Sequence, residues 1–196
     1  IFEMFIIENY FVAVVFCFIT MICWGSWANT QKLASQKWPF QLYYWDYTLG
    51  ILLITLIFGF TLGSTGDIGR SFIVDLKQAE SNYINLAFLG GVIFNFANLL
   101  LVIAIEVSGM AIAFPIGIGI ALVLGVFTNY LDQPEGDPLF LILGVGFVTL
   151  AIIIDGFIYK KTLQKSDQNP LKGIILSILA GISMGFFYKY VAQSMI

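Results

Sequence analysis

Three groups of polar residues lie inside apolar runs of this sequence, where lipid-facing helix would carry none. In FLGGVIFNFANLLLVIAIE, residues 88 to 106, Asn95, Asn98 and Glu106 fall on one helical face. At about 100° per residue, Asn98 lies roughly 60° and Glu106 roughly 20° from Asn95. Such a stripe can exchange hydrogen bonds with a neutral polar solute, or it can tie neighbouring helices together. Glu106 is also near enough to the end of its run to reach the headgroups. Asp46, in QLYYWDYTLG, sits about one turn inside another run. A carboxylate there must be paired, protonated or in a wet cavity, so it suits either a structural acceptor or a gate for solute and proton.

The third group is CWGSWANTQKL, residues 23 to 33. Trp24, Trp27 and Gln31 share a face, with Gln31 roughly 20° from Trp24. Tryptophan is common at the membrane interface. Aromatic planes beside an amide also suit a heterocyclic or sugar-like solute, because stacking supplies area and the amide supplies orientation. None of this is bond-making chemistry. The chain has no His, which removes imidazole acid–base catalysis and most metal sites, and its carboxylates are dispersed rather than convergent. No nucleotide-binding sequence is present. An enzyme is therefore the weakest reading, and no cofactor or metal is expected.

The elements that must hold these residues are set by composition. Of 196 residues, 59% are hydrophobic and only 11% charged, against about one quarter charged in soluble domains. That is too little charge to cover a water-exposed surface. The net charge of −3 and the absence of a basic cluster argue against nucleic acid as a partner. Cys17 and Cys23, six residues apart in one run, are about 9 Å apart if helical and beyond disulfide reach.

Six runs of membrane-spanning length follow, at about Tyr10–Thr30, Tyr43–Leu62, Tyr83–Ile105, Met110–Leu131, Leu139–Tyr159 and Leu171–Ala192. About 20 residues suffice to cross the hydrocarbon layer. The fold class is thus an all-α polytopic membrane protein. The first run lacks a basic n-region and a cleavage site, so it reads as a retained helix. The polar loop 63 to 82 has room for a short interfacial helix, and spans 3 and 4 are joined by a few residues around Ser108 and Gly109. In span 4, Pro115, Gly117 and Gly119 read either as small-residue packing or as a hinge that changes accessibility. Asp155, one turn from Lys160 and Lys161, reads as an end anchor, as do Asn129 and Asp132.

Lys32, Lys37, Lys160, Lys161, Lys165 and Lys172 fall on one side, against Arg70, Lys77 and Lys189 on the other. This bias puts the first group in the cytoplasm and the N-terminus outside the cell membrane. A faint repeat links Ile19-Thr20-Met21 with Ile182-Ser183-Met184, each followed by aromatics. A five-span unit inverts when duplicated. The organisation expected is one repeat over 1–162, a joint over 163–170, and the first helix of a second repeat over 171–196.

These words together resemble the ureide permeases of the drug/metabolite transporter superfamily, near its glucose/ribose porter branch. MFIIENYFVAVVF from Met4 resembles the family's opening, and WGSW at 24–27 its Gly-Thr/Ser-Trp element. YWDYTLG at 44–50, which singles out Asp46, GGVIFNFANLL at 90–100, with Gly90, Gly91 and Asn98, and TNYLD at 128–132, with Asn129 and Asp132, resemble further family segments. The resemblance implies a ten-helix permease of two five-helix repeats that imports ureides such as allantoin, or uracil-like rings, with protons. Asn95 and Glu106 have no fixed counterpart in that pattern, which keeps a sugar transporter of the same superfamily as the rival. A non-transporting scaffold or receptor is the second class.

The expected protein is a secondary transporter for a small neutral polar solute. Trp24, Trp27, Asn95 and Asn98 are its binding candidates, Asp46 or Glu106 the group coupled to a proton or sodium ion, and Pro115, Gly117 and Gly119 its hinge. The lipid bilayer is its solvent. A C-terminal half, or a second copy in a homodimer, would complete the two repeats.

Overall fold

The computed structural model describes residues 9–34, 37–65, 70–132, 134, 136–162 and 170–195. Seven helices occur among them: α1 (Tyr10–Ala34), α2 (Phe40–Phe60), α3 (Phe72–Gln78), α4 (Ser81–Ser108), α5 (Met110–Asp132), α6 (Pro138–Thr162) and α7 (Pro170–Ser194). All but α3 are long and apolar enough to cross a membrane, so the six expected spans are present, each within a few residues of its expected bounds. Residues 4–8 of the N-terminal opening and 163–169 of the expected joint lie outside the described residues.

Sequence punctuation sets the helix ends. Pro39 stands just before α2, and Pro138 and Pro170 are the first residues of α6 and α7. The first turn has no intrahelical partner for an N–H, so proline costs nothing there. Asp137 caps α6, its Oδ1 accepting from the Leu139 N–H at 2.8 Å.

The chain divides into two compact units, one ending at Ala79 and one beginning at Glu80. In the first, α1 and α2 meet near the end of α1 and the start of α2, where Thr30 Oγ1 and Tyr43 Oη share a hydrogen bond of 2.8 Å. α3 is the short helix expected in the polar loop. It is tied back to the end of α2 by Ser64, whose hydroxyl accepts from the Phe72 N–H and donates to the Gly59 carbonyl. Phe72 then packs edge-on against Phe60. The outer side of α3 is polar, with Arg70 donating to Gln78 and Gln78 to Asp75.

In the second unit α7 packs extensively on both α4 and α5. It runs antiparallel to α4, with Gly173 beside Ser108 at one end and Gly90 beside Phe187 and Val191 at the other. It runs parallel to α5, where Gly117 meets Ser177 and Gly181, and Gly125 approaches Gly185. Lipid offers no hydrophobic drive for helix pairing, so close backbone approach must supply the attraction. The seam is accordingly built of small residues, with Ala97, Ala104, Ser108, Ala113, Ser177 and Ala180 all buried. The two buried serines donate back to carbonyls one turn earlier, Ala104 and Gly173, each at 2.8 Å. Large apolar side chains such as Phe88, Phe127, Phe147 and Ile175 point outward, as a lipid solvent requires.

α4 and α5 are joined by Gly109 alone, at φ 84° and ψ 151°. This backbone region is almost closed to residues with a Cβ. Gly109→Ala is expected to destabilise the second unit by about 1–3 kcal/mol, read as a lower melting temperature in detergent. An unchanged melting temperature would show that the link relaxes freely.

Candidate solute-binding site

In the first unit the site grows from the aromatic density at the start of α2. Tyr43, Tyr44 and Tyr47 recur at spacings of three and four, which place them on one helical side. Trp27 of α1 stacks on Tyr47 with ring centroids 5.8 Å apart and an interplanar angle of 29°. Tyr43 and Tyr44 lie 6.4 and 6.0 Å from the same Tyr47 ring. Thr30, one turn from Trp27, holds Tyr43 by its phenol and also donates to the Trp27 carbonyl at 2.6 Å. An aromatic wall with hydroxyls at its edge therefore spans the α1–α2 contact. Trp24 is 40% exposed one turn away. Asp46 stands next to Tyr47 in the chain and is exposed on α2.

Two residues of α1 are buried, Ala28 and Gln31. Gln31 is 1% exposed, and among the described residues neither its Oε1 nor its Nε2 has a hydrogen-bond partner. Sequence reasoning placed Gln31 on the face of Trp24 and Trp27 but gave no sign of its burial. It also missed Thr30, Tyr43 and Tyr47, although the tyrosines on either side of Asp46 were signal enough to find two of them.

In the second unit the polar stripe of α4 is divided. Asn98 is 3% exposed and belongs to the packed face with Leu101, Val102 and Ile105. Asn95 and Glu106 are exposed. The roughly 60° between Asn98 and Asn95 is enough to put one inside the helix seam and the other at its margin. Glu106 lies in the last turn of α4, two residues before Ser108.

α5 continues as helix through Pro115. Gly117 and Gly119 are both buried at close contacts. A Cβ at Gly117 would lie 2.7 Å from Leu101 Cδ1, and one at Gly119 would overlap Ile152. Close packing against α4, α7 and α6 accounts for both glycines in this conformation. Asp132 pairs with Lys189 of α7 at 2.9 Å, so the end anchor read from sequence is an interhelical one. Two grooves between α5 and α6, of about 380 and 410 Å³, are apolar but for Tyr130 in one and Thr149 in the other. Those walls suit acyl chains, not a polar solute. Among the described residues no group of His, Cys, Asp or Glu is placed to hold a metal ion.

The all-helical architecture, with six helices long and apolar enough to cross a membrane, defines a polytopic membrane protein. The sequence model of the ureide permease family matches residues 43–177. The chain belongs to that family. It is 27% identical over 159 residues to ureide permease 1 of Arabidopsis thaliana, covering 80% of this chain and 41% of that protein. It is 26% identical over 187 residues to ureide permease 4 of the same plant, covering 91% of this chain and 47% of the relative. The chain thus spans about half the length, or less, of the curated relatives it matches. No solved structure matches it.

Proposed function

We propose that the complete protein is a secondary permease of the cell membrane that moves a ureide or uracil-like ring, a small neutral polar solute, with a coupling proton or sodium ion. The observation that carries this reading is the wall of Trp27, Tyr43 and Tyr47, with Asp46 next to Tyr47 in the chain, in a protein of the ureide permease family. A flat ring gains stacking area there, and its polar edge meets hydroxyl and amide groups. Asp46, inside α2 rather than at its end, is the better coupling candidate, because moving a neutral solute uphill needs a titrating or ion-binding partner. Glu106, in the last turn of α4, is then an interfacial charge.

Residues 1–162 form the first five-helix repeat, 163–170 the joint and 171–196 the opening helix of the second. The match to about half of each relative supports this division. The remaining repeat, or a second copy of the chain, covers the polar groups that α2 and α4 leave exposed. The Lys and Arg bias supports an N-terminus outside the cytoplasm.

The test is uptake of labelled allantoin into cells expressing the complete open reading frame, with uracil as competitor and labelled sugars run in parallel. Saturable allantoin uptake collapsed by a proton uncoupler is the expected result. Folded protein in the membrane with uptake equal to empty cells would overturn the ureide reading. Saturable uptake of a sugar instead would move the protein to the sugar-transporting branch.

A further inference from the structure

We propose that Gln31 reads the amide edge of the transported ring and is the specificity-determining residue of the α1 face; this rests on the permease reading above. Gln31 is 1% exposed, and both polar atoms of its carboxamide are buried with no partner among the described residues. Buried amides in folded proteins are almost always hydrogen-bonded, and an orphaned one carries its full desolvation cost. No described residue offsets that cost at Gln31. A solute that comes and goes would supply the missing partner.

The chemistry of the carboxamide says which molecule. It offers an N–H donor and a C=O acceptor side by side. The complementary edge is an adjacent C=O and N–H in one plane, the pattern repeated around cyclic ureides and imides. A hexose offers hydroxyls that rotate, with no fixed donor–acceptor pair. Position agrees with chemistry. Gln31 follows Trp27 by one turn, and helical side chains lean toward the N-terminus of their helix, so its amide lies over the Trp27 turn. Thr30 and Tyr43 mark the same level of the α1–α2 contact. A ring stacked on this wall would present its edge to Gln31. The amide's place near the end of α1, well past the helix midpoint, makes this the reading point on the Lys32 side of the path.

The test compares the complete wild-type protein with Gln31→Met, which keeps the length of the side chain and removes both polar atoms. Hydantoin and 1,3-dimethylhydantoin, which lacks every ring N–H, compete for labelled allantoin uptake. The wild type should prefer hydantoin by roughly ten- to a hundredfold. Q31M should compress that preference about tenfold, and should melt at or above the wild-type temperature without solute, since it gives up no protein hydrogen bond. An unchanged hydantoin preference in Q31M would overturn the assignment. Melting well below wild type, or loss of folded Q31M, would reveal a protein partner and overturn it as well. Wild-type protein that takes up no allantoin sinks the permease reading itself, a result separable from the others because it appears before any substitution is made.

Discussion

Gly181→Ala is expected to part α7 from α5 and to lower the stability of the second unit by about 3 kcal/mol. A Cβ at this position would lie 2.6 Å from the Gly117 carbonyl oxygen and 2.8 Å from Ile120 Cβ. Neither atom is the end of a flexible side chain, so no rotamer change relieves the clash. The two helices must move apart, and the separation spreads along their parallel contact to Gly185, where an added Cβ would already press on Leu124. Dispersion falls off steeply with distance, and in lipid no hydrophobic term replaces it. Thermal unfolding in detergent reads the effect. Gly91→Ala is the control, since nothing lies within 4 Å of its Cβ position. Equal melting of the two variants would mean that the glycine seam is not what holds the unit together.

Asp46→Asn carries the largest effect expected on transport. If Asp46 couples the solute to an ion, the amide abolishes accumulation against a gradient, by at least about tenfold, while exchange of labelled for unlabelled solute persists. Exchange involves no net ion movement, so on this reading it depends on the binding site alone. Glu106→Gln, an exposed side chain at the end of α4, is expected to leave both readings within about twofold. Uphill accumulation that survives Asp46→Asn and fails in Glu106→Gln would exchange the two roles.

The spans were legible because hydropathy and length alone decide that a helix crosses a membrane. α3 was legible because a polar loop of that length had room for a helix between Gly63 and Asn82. Partner choice was not. α5 and α7 are apolar around most of their circumference, so no face announces its neighbour, and Gly117, Gly181 and Gly185 look in sequence like any lipid-phase glycines. The polar stripe of α4 was correct in its spacing but silent on which member would be inside. Burial of Asn98 with exposure of Asn95 depends on where α7 lies, and that is a tertiary fact. Gln31 shows the same limit more sharply. Its face was visible beside Trp24 and Trp27, whereas its orphaned amide is a property of packing alone.

The place of α7 on both α4 and α5 also sets a schedule. α4 and α5, linked by one glycine, can enter the bilayer as a hairpin, but roughly 60 residues separate the end of α5 from the end of α7. At roughly 5–20 residues per second, synthesis of that interval takes about 3–12 s. For that time the glycine and serine faces of the hairpin stand open to lipid, and α6 arrives before the helix that fills them. The nascent protein is thus held in an unfinished form during translation, and a pause within α7 prolongs the stage at which it is most open to degradation.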